Sequence, residues 1–213
     1  MRLLLVDHGS SDPPHGRGHG IRAGLEQLGI ATAVCGPSRV PGLEAQPPGM
    51  FGIHLRDVAA ASRGFLAAVE DGTAEAFLAA AAAVPARLLG LARETARQAL
   101  AEAVEIVYPD VIFVLHAGIL TDLAIETGAP VVVHVAAADL AAADRRPSLR
   151  NLVAAAIGSS AVIVAAEEAV AVTLATEWLA DAPDAAPRLE TWPLGPDVAT
   201  RVAIACRRAR RRT

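Results

Sequence analysis

The sequence predicts an α/β chain: a single Rossmann-like, doubly wound parallel sheet with helices on both faces. Three observations predict it. Short apolar runs rich in β-branched residues alternate with segments of helical spacing along the whole chain. Between Pro109 and Leu140 one strand–helix–strand unit is complete, its apolar runs Val111 to Leu115 and Val131 to Val135 joined by far more chain than a hairpin needs. Such strands are parallel neighbours covered by the helix. Polar residues then gather where the runs end, at His116, His134 and Asp139. In open α/β sheets the carboxyl ends of strands are where ligands sit.

Arg2 to Val6 reads as a buried strand and Ser10 to Gly20 as a Gly/Pro-rich loop. Ile21 to Leu28 has helical spacing and is closed by Gly29, and Ala31 to Val34 is a second strand, which completes a first βαβ unit. Residues 36–50 are rich in Pro and Gly and read as a surface excursion. Met50 to Leu55 is a short strand; Ala59 to Val69 and Thr73 to Val107 are helical, with Asp71-Gly72 as the break and Thr73 as N-cap. Pro85 divides the Ala-rich stretch into a helix pair whose charges argue against a membrane span.

After that break, Gly118 to Thr127 places Leu120, Leu123 and Ala124 on one helical stripe and stops at Gly128-Ala129-Pro130. Asp139 falls in the loop after the His134 strand. Helices at Ser148 to Ile157 and Glu167 to Leu179 flank a strand at Ala161 to Ala165. An extended segment, Arg188 to Pro193, leads into a last helix, Val198 to Arg212. The division expected is a Rossmann-like domain over residues 1–195 and a C-terminal basic helix or hinge segment over 196–213.

Composition excludes several chemistries. All 19 basic residues are arginine, so no Schiff-base, pyridoxal-phosphate or P-loop lysine exists. Aromatic content of 3% supplies no series of stacking platforms for single-stranded nucleic acid. The net charge of −4 splits into +6 over residues 201–213 and −10 over residues 1–200. An acidic body disfavours nucleic acid as a partner. The Arg-rich end suits the negative pole of its own helix as a solvated last turn; contact with an anionic membrane surface is the less favoured use. Cys35 and Cys206 sit in no metal or redox spacing, and Met1 to Val6 is too short for a signal sequence. A cytoplasmic protein with two reduced thiols is expected.

Ser10, His15, Gly16, Arg17, Gly18 and His19 are candidate substrate-binding residues, because the first loop follows a strand and opens a helix where backbone N–H groups receive polar ligands. The loop lacks the G-x-G-x-x-G spacing, so no dinucleotide cofactor is implied. His15 and His19 have metal-ligand spacing, but the intervening glycines and the missing third ligand argue against a metal. His116 and Gly118 are further binding candidates. His134 and Asp139 are the candidate catalytic pair, since an imidazole with a carboxylate orients a hydroxyl or takes its proton. The imidazoles of His116 and His134 are expected to open onto one cleft. As exposed rim residues, His116 and Asp139 are expected to tolerate alanine within about 1 kcal/mol.

The order of these pieces resembles the N-terminal domain of a retaining, family-four glycosyltransferase of the two-Rossmann-domain, GT-B type. The resemblance rests on the glycine-rich loop His15 to Gly20; on Tyr108-Pro-Asp-Val-Ile-Phe-Val-Leu-His-Ala-Gly118; on Gly128-Ala-Pro-Val-Val-Val-His-Val-Ala-Ala-Ala-Asp-Leu140; on Ser159-Ser-Ala-Val-Ile-Val-Ala-Ala-Glu-Glu-Ala-Val170; and on Trp192-Pro-Leu-Gly-Pro-Asp197, similar to the hinge into a second domain. It implies that residues 1–195 bind a sugar or other hydroxyl-bearing small-molecule acceptor. A nucleotide sugar would bind only with a second domain or subunit, and no cofactor is implied. The family's active-site histidine aligns with Ala136, two residues beyond His134. Two alternatives stay open: a non-catalytic binding or regulatory module of the same fold, and a small tetrapyrrole metal chelatase with His8 of Leu3-Leu-Leu-Val-Asp-His-Gly-Ser10 as metal ligand.

Overall fold

The computed structural model describes residues 1–10, 17–38 and 48–212. Seven parallel strands form one sheet in the order β3-β2-β1-β4-β5-β6-β7. They are β1 (Arg2–Val6), β2 (Ala31–Pro37), β3 (Met50–Ile53), β4 (Val111–Val114), β5 (Val131–Val135), β6 (Val162–Ala165) and β7 (Leu189–Thr191). Register is set by the alternation of buried side chains: Leu3 to Val6 lie beside Val111 to Val114 on one edge and beside Thr32 to Cys35 on the other. Leu4, Val6, Ile112, Val114, Val133 and Val135 face one core, and Leu3, Leu5, Phe113, Val132 and Val164 face the other. Strands buried on both sides are why the sequence shows continuous apolar runs.

Most helices cover the first face: α2 (Arg56–Ala59), α3 (Arg63–Asp71), α4 (Ala74–Ala83), α5 (Ala86–Val107), α6 (Thr121–Glu126), α7 (Ala137–Asp144), α8 (Pro147–Ser159) and α9 (Glu168–Thr173). Two helices cover the second, α1 (Arg17–Gln27) and α10 (Val198–Arg210). The expected helix over 59–69 is two helices, because the Ser62 side chain accepts from Phe65 N–H and starts α3 afresh. Gly72, in the left-handed conformation, ends α3, and Thr73 caps α4 by accepting from Ala76 N–H. Pro85 separates α4 from α5 as the sequence implied. α9 continues into a π-helical turn, Leu174–Trp178.

Two differences matter for function. Residues 17–20, read as loop, form the first turn of α1, so the glycine-rich segment is partly helical. Residues 137–144, also read as loop, form α7, which places Asp139 in a helix instead of after a strand. α10 buries Val202, Ala203, Ala205, Cys206 and Ala209 against the sheet and α1. Its arginines are engaged more than a frayed end implies: Arg208 pairs with Glu190, Arg210 with Asp110, and Arg212 donates to the carbonyls of Ala161 and Pro187.

Candidate functional site

The strand order reverses between β1 and β4, since β1 leads leftward to β2 while β4 leads rightward to β5. A cleft of about 280 Å³ opens there, lined by Asp7, Gly9, Arg17, Gly72, Thr73, Ala74, Glu75 and His116. Crevices beyond the strand ends at such a switch point are where this class of sheet takes ligands. Asp7 follows β1 directly, and His116 is the second residue past the neighbouring β4. The N-terminus of α4 and the first residue of α1 form the side walls.

Asp7 is buried and shapes the floor. Its carboxylate accepts from Gly9 N–H at 2.8 Å and from Gly18 N–H at 3.2 Å, holding both ends of the β1–α1 loop. A Cβ at Gly18 would stand 3.1 Å from Val34 Cγ1, so a larger residue fits there only if Val34 gives way by a few tenths of an ångström. Arg17, at the mouth, lies 3.9 Å from Glu75, both more than half exposed, so the pair is a weak tie between the two walls.

His116 and Asp139 form a buried dyad. His116 Nδ1–H donates to Asp139 Oδ1 at 3.0 Å. The other carboxylate oxygen accepts from Ala117 N–H at 3.0 Å and from Ala136 N–H at 2.9 Å. Asp139 therefore caps α7 and fixes the His116 tautomer together, which leaves Nε2 as the ring nitrogen available for chemistry. Burial opposes charging of His116 most strongly, yet the hydrogen bond and charge of Asp139, with Asp7 and Glu75 beyond, raise its pKa above the ordinary histidine value. A histidine poised in this way accepts a hydroxyl proton when its ring is neutral and donates a hydrogen bond when it is charged.

His116 and Asp139 are only 3% and 1% exposed, so the expectation of mild alanine substitutions at an open rim is corrected. The expected pairing is corrected as well: Asp139 meets His116 and not His134. His134 turns to the α10 side of the sheet, its ring 6.1 Å from that of Trp192, and its Nδ1–H donates to the Leu115 carbonyl at 3.2 Å. It does not line the cleft, so the two imidazoles do not share one. Strand alternation decides this, because neighbours at odd and even places face opposite cores.

The burial of His134 depresses its pKa to about 4, against the opposing charge of Asp139. The folded protein thus refuses a proton that the unfolded chain accepts. Stability contributed by the neutral ring is complete above the unfolded value and falls as pH drops from about 6.5 toward about 4, by about 3 kcal/mol in all. His8, depressed by burial and by His116, acts in the same direction, while the raised His116 opposes it. Urea midpoints at pH 7 and about pH 5 should differ clearly for the native chain and less for His134→Phe. An undiminished difference in the variant would remove His134 as the source.

The remaining candidates divide. Arg17 lines the cleft; Gly18 supports it from beneath. His19 lies in the first turn of α1, half-buried. His15 and Gly16 lie outside the described residues, and with them the His15–His19 pair; among the described residues no His, Cys, Asp and Glu group could hold a metal. Ser10 is buried, its N–H donating to the Gly72 carbonyl. Gly118 is a packing position: a Cβ there would stand 2.3 Å from Leu78 Cδ2 and 2.7 Å from His8 Nε2. His8 is fully buried beside Phe77, its Nε2 accepting from Leu120 N–H, so neither ring nitrogen faces a cleft as a chelatase ligand must. Asp7, Thr73 and Glu75 were not singled out from sequence as site residues, although Thr73 was read as a helix cap. Asp7 carried a signal in ending a central strand as His116 does; Glu75 carried none, because α4 reaches the site only through the crossover from β3.

No protein-family model and no curated protein sequence matches the chain. Among solved structures it is similar to OtsA in its apo form, at 15% identity and a TM-score of 0.58, over 95% of this chain and 55% of that one. It is similar to the trehalose-6-phosphate protein from E. coli bound with UDP-2-fluoro glucose, at 15% identity and a TM-score of 0.57, over 91% of this chain and 49% of that one. A third is UDP-GlcNAc 2-epimerase from Neisseria meningitidis bound to UDP-GlcNAc, at 17% identity and a TM-score of 0.51, over 96% and 50%. The chain spans about half the length of each. Its fold is that of one Rossmann-like half of the GT-B glycosyltransferase architecture.

Proposed function

We propose that the chain is the acceptor-binding half of a glycosyltransferase, receiving a sugar or other hydroxyl-bearing small molecule in the cleft between β1 and β4. The His116–Asp139 dyad facing that cleft carries the reading. Its Nε2 takes the acceptor hydroxyl proton as the oxygen bonds to the anomeric carbon of the donor and the bond from that carbon to the donor's phosphate oxygen breaks, the nucleotide diphosphate leaving; Asp139 stabilises the imidazolium that forms. Asp7, Glu75 and Arg17 supply acceptors and a donor in the pattern that vicinal hydroxyls satisfy. The donor is a nucleotide sugar held by a second domain or subunit; two of the matched structures are bound with UDP-sugars. No nucleic acid and no cofactor enters this scheme.

The test is calorimetric titration of the full chain with a panel of neutral mono- and disaccharides. His116→Gln should weaken binding about tenfold or more, the worth of one hydrogen bond to a charged group. His134→Phe should leave binding unchanged. When a donor-binding partner is supplied, transfer should rise with pH through the raised His116 pKa. Binding that persists in His116→Gln would remove the proposed base. Binding without transfer in the presence of any donor partner would favour the non-catalytic module.

A further inference from the structure

We propose that the base of the sheet, at the end remote from the cleft, is a docking surface for an anionic lipid bilayer. This goes beyond the acceptor-binding reading and does not rest on it. The cleft lies past the carboxyl ends of β1 and β4, whereas α10 runs the other way and delivers its arginines to the strands' amino ends. There Arg210 approaches Asp110, the residue before β4, at 3.8 Å, and Arg212 donates to the carbonyl of Ala161, just before β6. Asp110 also accepts from Arg2 N–H at 2.7 Å, and the Arg2 guanidinium stands 5.9 Å from the centre of the Tyr108 ring. Arg2, Tyr108, Arg210 and Arg212 thus form one continuous strip.

Three observations select a bilayer. The first is charge: residues 201–213 carry +6 and the rest of the chain −10, so an anionic plane attracts one end and repels the body, which fixes orientation. The side chains of Arg207 and Arg211 make no hydrogen bond or ion pair among the described residues, and they lie one helical turn apart beside Ile204, which is 43% exposed. The second is Tyr108. Among the described residues it alone is a non-glycine with positive φ, at 47°, as the left-handed cap of α5. Glycine or asparagine ordinarily takes that place, and the strain gains no burial, since the ring is 63% exposed. A tyrosine held outward with an apolar neighbour, Ile106 at 61% exposed, has the make-up of an interfacial anchor. The third is the acidic body, which prevents a nucleic acid from wrapping further. No described helix is long and apolar enough to cross a membrane, so the contact is peripheral.

Co-sedimentation of the full chain with phosphatidylcholine vesicles, with and without phosphatidylglycerol, tests the proposal. Binding is expected only with the anionic lipid and should weaken strongly between about 0.1 M and about 0.5 M salt. The double variant R207E/R211E should lower the partition coefficient about tenfold or more, and Tyr108→Ser several-fold, with thermal melts of the double variant unchanged. Equal binding to neutral vesicles, no binding to either, an undiminished R207E/R211E variant, or binding to single-stranded RNA in place of vesicles would each overturn it.

Discussion

Asp139→Ala is expected to cost about 3 to 5 kcal/mol of folding free energy, although the residue sits beside a cleft. Its carboxylate is 1% exposed and accepts from His116 Nδ1, Ala117 N–H and Ala136 N–H. Removing it strands the Ala117 donor in the interior, frees the first turn of α7 and leaves a raised-pKa histidine without its counter-charge. Each buried donor left unpaired costs about 1 to 3 kcal/mol. Urea unfolding at pH 7 measures the loss directly, and Asp139→Asn should fall between the two because one acceptor oxygen survives. A loss below about 1 kcal/mol would mean that the dyad does not hold the β4 and β5 termini together. For function the consequence is practical: inactivity of Asp139→Ala says little about chemistry, whereas His116→Gln reports on the cleft.

Val202→Asp should remove more than about 4 kcal/mol and leave little folded protein, because a carboxylate would be buried without a partner. Val202 is fully buried where α10 closes the second core over Phe113, Val132, Val162 and Val164. α1 alone does not cover those strands; α10 supplies the other half of that layer. Arg207→Glu, five residues on and solvent-exposed, should change stability by no more than about 0.5 kcal/mol. Thermal melts of both variants decide the matter. A mild Val202→Asp would mean that the helix is an appendage that the sheet can do without.

Most strands were legible because both their faces are buried. β1 and β5 fall where the apolar runs put them, and the breaks at Gly72 and Pro85 followed from residues with one strong conformational habit. α7 was missed since Ala137 to Asp144 has three alanines in a row and no clear apolar stripe; its start is fixed by the Asp139 cap, a tertiary hydrogen bond to residues beyond β4 as well as a local one. The first turn of α1 was missed for a related reason. Its glycines discourage a helix locally, and the Asp7 carboxylate bonded to Gly18 N–H outweighs them.

By itself the sequence determined an alternating α/β chain with a parallel sheet, an acidic body with a basic end, and polar residues gathered where central strands run out. Periodicity and strand length fix those features within a few residues of each position. Only the tertiary structure decided which polar residues meet. Strand order set Asp7 and His116 side by side at the switch point, the α7 cap brought Asp139 to His116, and strand alternation sent His134 to the other core. Such pairings depend on contacts between residues far apart in the chain, which no local pattern encodes.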